Sequence, residues 1–261
     1  MTHHACRAGN GCLHGGAAAQ PLWGVAPSGS CPALSRMNFL SHAIPYLDHP
    51  LVAVCTGVPD FLSVVDRKIR ARERMAMAAL GSDDDAVRDV ATGILHHIRD
   101  DRWFHNTTVF VESNLQLAVG LRDLLPGDRG FRPMFVGHIL IEILLDAFWI
   151  RDRPELIERY YQLVDDTSPE LIQRCVNQIT GKPTDRLAAA IRRYAEARFL
   201  YDYVDHRQLL MRLNQVMRRV GLVELPDSVL PWLQEASELV ESRRVRFLTP
   251  PDGSTLFPPI P

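Results

Sequence analysis

Two stretches of this sequence place histidines and carboxylates four residues apart. In GILHHIRDDRWFH (residues 93–105) the series is His97, Asp101 and His105. In MFVGHILIEILLDAFWI (134–150) it is His138, Glu142 and Asp146, and every other residue of that stretch is apolar or glycine. On a helix each series forms one stripe, because side chains at i and i+4 stand above one another. Imidazole nitrogens and carboxylate oxygens are donors for Mn, Fe, Mg or Zn ions, and neither stretch holds the cysteines of a closed structural zinc site. Two such helices facing each other predict one divalent-metal cluster of His97, Asp101, His105, His138, Glu142 and Asp146.

The apolar context decides which way the stripes point. His97, Asp101 and His105 share a face with Val90, Ile94 and Phe104, whereas Arg99 and Arg102 point elsewhere. His96 and Asp100 read as bystanders. The 134–150 stretch is apolar all round, the mark of a buried helix. A buried carboxylate must be paired or hold a cation, since desolvating it alone costs several kcal/mol. Two metal-free readings stay open. One is a local His–Asp pair, worth tenths of a kcal/mol. The other is a buried network neutralised by arginine, with Arg99 or Arg132 as the cation. Two further candidates lie upstream in apolar runs, His42 in NFLSH and Asp60 in GVPDF.

The elements that position these residues are helical. From Met37 the apolar period is that of helices, with no alternating strand pattern, so the expectation is an all-α, single helical-bundle domain of about eight to ten helices. SDDDAV supplies an acidic first turn to the helix that carries His97. Asn106 or Thr107 caps the next helix, and Ser168, Pro169 and Gly181 mark the start and stop of a later one. Residues 1–36, rich in Gly, Ala, Pro and Ser, read as a disordered or non-native extension. Residues 37–247 form the helical domain, and 248–261 a loosely held Pro-rich tail.

Bulk properties exclude some classes. The chain has 261 residues, 46% hydrophobic, with a formal charge of −2. That is enough apolar matter for a core and offers no basic excess for nucleic acid. The 134–150 stretch carries three ionisable residues and reads as a core helix, so no membrane association is expected. Of five cysteines, Cys55 and Cys175 lie in apolar helical contexts as thiols, which predicts a reducing, cytoplasmic setting.

MNFLSH, then GVPDF, then GILHHIRDD resembles the opening of the bacterial acyl carrier protein phosphodiesterases, helical metal-dependent phosphohydrolases related to the HD superfamily. FLYDYVDHRQLLMRLNQVMRR (199–219) is similar to a later helix of that family, through Leu200, Tyr203, Asp205, Leu213, Asn214 and Arg219. The likeness runs over about 37–220 with irregular gaps. It implies an HD-like fold, a divalent metal and hydrolysis of the 4′-phosphopantetheine–serine phosphodiester of acyl carrier protein. It also implies Asp60, His97, Asp101 and Asp146 as site residues, with His42 matching the opening motif. Asp60, Asp101 and His42 are then the candidates for catalysis. His105, His138 and Glu142 rest on spacing alone.

The chain departs from the family at Val58, where an Asn is usual, at Phe104-His105 in place of Thr-Asp, and at Asp146-Ala147 in place of Asp-His. A divergent phosphohydrolase acting on a small phosphoester is therefore an alternative, as is a non-catalytic helical protein with a buried polar cluster. A ferritin-like di-iron site needs Glu-x-x-His units, which neither stripe contains. Carrier proteins are acidic, so a true relative presents basic residues near its site; Arg70, Arg72, Arg74, Arg99 and Arg102 are the candidates.

Overall fold

The computed structural model describes residues 38–125, 127 and 130–260. The 1–36 extension and Met37 lie outside the described residues, as do Cys6, Cys12 and Cys31. In chain order the helices are α1 (Phe39–Ala43), α2 (Pro50–Cys55), α3 (Val58–Val65), α4 (Glu73–Ala79), α5 (Asp85–His105), α6 (Thr108–Leu124) and α7 (Pro133–Asp152). They continue with α8 (Pro154–Asp166), α9 (Pro169–Thr180), α10 (Leu187–Ala197), α11 (His206–Arg219), α12 (Leu230–Ser242) and α13 (Arg244–Phe247). No strand occurs among the described residues, so the all-α, single-domain expectation holds.

There are more helices than the periodicity predicts, because local chemistry breaks long apolar segments. Thr56 and Gly57 separate α2 from α3. Arg198, at a left-handed φ of 46°, ends α10 and turns the chain into a short 3-10 segment, Phe199–Val204. Arg243 parts α12 from α13. The capping residues behave as their chemistry requires. The side chains of Asp84, Thr107 and Ser168 accept from Ala86, Phe110 and Leu171 N–H groups, and Gly181 stops α9 at φ 63°.

Helix α7 is the axis of the molecule. Every residue from Phe135 to Ile150 is buried, and α1, α6, α8, α12 and the 3-10 segment pack around it. By length and composition alone α7 suffices to cross a membrane, but 83% of its apolar window is buried inside the protein. Helix α5 is packed by α2, α4 and α9, and its last residue, His105, reaches Glu142 on α7. Cys55 and Cys175 are buried free thiols. The Pro-rich tail touches the domain at two points: Phe257 stacks on the buried Trp149 ring at 6.0 Å, and Arg153 Nη1 donates to the Pro259 carbonyl.

Candidate metal centre

Helix α5 turns Val90, Ile94, His97 and Asp101 into the core, as its stripe requires. One turn before His97, α2 presses directly on the α5 backbone. A Cβ at Gly93 would stand 2.6 Å from the Val52 carbonyl oxygen and 2.8 Å from Cys55 Cβ, so only glycine fits. The third member of the group comes from α1. His42 Nε2 lies 3.4 Å from Asp101 Oδ1, and His97 Nε2 lies 3.2 Å from Asp101 Oδ2. The two imidazole rings stand 4.4 Å apart, centre to centre. His42, His97 and Asp101 each offer a ligand atom, all within 4.8 Å of one another, and all three residues are buried.

Asp100 is not a bystander. Its Oδ2 reaches to 3.6 Å from His42 Nδ1, and at 18% side-chain exposure it links the buried group to the surface. The helical wheel of α5 alone puts Asp100 off the stripe; α1, lying over the edge of that stripe, brings His42 to it. Burial pushes the His42 imidazole down, but the hydrogen bonds and charges of Asp100 and Asp101 outweigh it and hold His42 well above the usual imidazole range. Asp101 is likewise held well below the usual carboxylate range: burial raises it, and His97 and His42 more than reverse that. His96 does stand apart, stacked on Tyr46 at 3.9 Å.

The expected single cluster is in fact two. His105, from the last turn of α5, places Nε2 2.7 Å from Glu142 Oε1, and His138 places its Nε2 3.2 Å from the same oxygen. These three ligand atoms again lie within 4.8 Å of one another. Phe110 packs edge-on against both imidazoles, 4.8 and 5.0 Å from their centres. Burial raises Glu142, but His138 and His105 bring it down to about 2. Here too a glycine permits the approach. A Cβ at Gly137 would meet Asn114 Oδ1 on α6 at 2.5 Å.

Two predicted ligands belong to neither group. Asp146 is turned toward the start of α1, where it accepts from Leu40 N–H (3.1 Å), Ser41 N–H (2.8 Å) and the Ser41 hydroxyl (2.6 Å). Burial pushes its pKa up to about 6 against the pull of those donors. Its effect on the first group is thus indirect: it anchors the short helix that carries His42. The contribution of Ser41 was missed at the sequence level, although a small hydroxyl residue beside His42 was its only trace. Asp60 is buried in the first turn of α3. Its charge acts on the buried Arg219, one of the residues matched in the later stretch. Another, Asn214, exchanges hydrogen bonds with the Leu225 backbone and closes a loop. Arg99, named for the arginine-neutralised reading, lies half exposed against Glu73 and Met77. Arg132 is the left-handed residue that precedes α7.

Protein-family models, curated proteins and solved structures return no match to this chain. The chemistry is therefore read from the donors themselves. Each group brings together two imidazoles and a carboxylate that could hold a metal ion.

Proposed function

We propose that this protein is a divalent-metal-dependent phosphoester hydrolase whose metal ligands are His42, His97 and Asp101. The observation that carries the reading is the convergence of those three donors, from two separate helices, in a buried site with a partly exposed carboxylate at its edge. A divalent cation held by His42, His97 and Asp101 would lower the pKa of a water and supply positive charge for phosphoryl oxygens. Asp101 turns one oxygen toward each histidine, Oδ1 toward His42 and Oδ2 toward His97, so a cation between them would meet all three donors. Asp100, open to solvent and in contact with His42, is placed to take or return a proton at the mouth of the site. The burial of His97 and Asp101 strengthens each charge interaction inside.

The likeness of MNFLSH and GILHHIRDD to the acyl carrier protein phosphodiesterases makes the phosphopantetheine–serine diester the first substrate to try. Arg70, Arg72 and Arg74 are exposed beside and on α4, which packs on α5, and they suit an acidic partner. Elemental analysis of the purified protein, followed by assay on holo acyl carrier protein and on bis(p-nitrophenyl) phosphate, tests the reading. Metal-dependent turnover of either supports it; no turnover of any phosphoester with metal bound sinks it.

A second reading rests on the raised pKa of His42. An imidazolium at His42, between Asp100 and Asp101, offsets part of their negative charge with no cation, which is the behaviour of a structural polar cluster. It predicts no metal uptake at this group.

A further inference from the structure

The second group, His105, His138 and Glu142, stands outside the proposed hydrolytic site. It lies eight residues further along α5, about 12 Å at the helical rise. The paired ions of a two-metal centre sit about 4 Å apart, so the two groups do not share one reaction. Its donors are two imidazole nitrogens and one carboxylate oxygen. That set suits Zn²⁺ and its neighbours, whereas Mg²⁺ and Ca²⁺ call for mostly oxygen ligands.

We infer that His105, His138 and Glu142 form a second, independent site for a transition-metal dication, with one coordination position open to solvent. Four observations bear on it. His138 and Glu142 are one turn apart on α7, which is buried from Phe135 to Ile150, so two of the three ligands are preset by one helix. His105 comes from another helix, so an ion there ties the end of α5 to α7. Phe104 and Phe110 pack on the imidazoles and form an apolar wall around the donors. The group is also reachable: His105 is 14% exposed and His138 11%, while Glu142 is fully buried at the base. Three protein ligands with a solvent-facing edge are the pattern of an exchangeable site, not of a closed four-ligand one. This inference does not depend on hydrolytic activity at the first group.

The test is metal stoichiometry on the full-length protein, stripped with chelator and reloaded with Zn²⁺, with Co²⁺ as a visible probe. Wild type is expected to take up two equivalents. His105→Ala and His138→Ala should each lose one, along with one component of the Co²⁺ absorption, while His97→Ala loses the other. His105→Asn guards against misfolding, since His105 is partly exposed and its replacement leaves the core intact. If wild type binds a single equivalent, its loss in His105→Ala still upholds this site, and its retention there overturns it. Unchanged uptake in both His105→Ala and His138→Ala overturns it as well. Failure of the hydrolase assay with two equivalents bound counts against the proposed function and leaves this site standing.

Discussion

The two histidine–carboxylate groups use the same i, i+4 motif, one on α5 and one on α7, yet they depend on the fold in different ways. In the His105–His138–Glu142 group, two ligands sit on the central helix α7 and the third on the 21-residue α5. Long helices with packed faces hold all three. In the His42–His97–Asp101 group, the third ligand sits on α1, which has only five residues. A helix that short has no stability of its own. Its position is set by Asp146 on α7, which binds its first N–H groups, and by the core around Phe39 and Leu40. One site is therefore built into the scaffold, and the other is assembled by a capped fragment. The same motif gives a site that tolerates distant change in one place and a site sensitive to it in the other.

Substitutions can break this comparison, and the largest effect is expected at the first group. Asp101→Ala removes the oxygen pair that both histidines face, and should lower phosphoester hydrolysis about a thousandfold while the second group still binds metal. Asp100→Asn should cost about a hundredfold with metal content unchanged, because it removes a proton carrier and no ligand. Steady-state rates paired with metal analysis check both; equal metal loss in the two variants would show that the roles are not separable.

The next effect is on stability. Asp146→Ala leaves buried N–H groups of Leu40 and Ser41 without their acceptor and should destabilise the fold by about 3–5 kcal/mol. It should also weaken metal binding at the first group more than at the second. Urea unfolding and metal titration of Asp146→Ala and the milder Asp146→Asn measure this. Equal weakening at both groups would argue against a special dependence of the first on α1.

The pH response of the metal-free protein separates the two buried carboxylates of α7 by sign. Glu142 is brought down to about 2 from an ordinary 4.5, so the stability it contributes is present above pH 4.5 and lost as pH falls through 2. Asp146 is pushed up to about 6 from 3.8, so its contribution is present below pH 3.8 and lost as pH rises through 6. Each is on the order of 3 kcal/mol across its window. Thermal melts from pH 2 to 7 should show Glu142→Gln flattening the acid limb and Asp146→Asn the limb between 4 and 6. Swapped behaviour would mean that the two environments are misassigned.

The smallest effect concerns the two glycines. Gly93→Ala drives a methyl into the Val52 carbonyl and Cys55, atoms that cannot swing aside, and should cost about 2–3 kcal/mol. Gly137→Ala meets chiefly the Asn114 side chain, which can rotate, and it gains helix propensity. Its net cost should be about 1 kcal/mol or less. Melting temperatures of the two variants settle the order.

The all-α class was legible because the apolar period is helical along the whole domain. The burial of His97, Asp101, His138, Glu142 and Asp146 was legible too, since each shares a stripe with residues that must leave water. Capping at Thr107, Ser168 and Gly181 followed from local chemistry alone. The partition of the ligands was not legible. Periodicity fixes which face a residue occupies, but it carries no information on how far along that face a neighbouring helix crosses. Six stripe residues therefore read as one cluster. Tertiary packing divided them, set His42 beside Asp101, and turned Asp146 away to hold α1. It also gave Asp100 a role that its place on the helical wheel conceals. The physical reason is range. Helical period and caps are set within a few residues, whereas the contact between Asp146 and Ser41 spans 105 residues and forms only when the core closes around it.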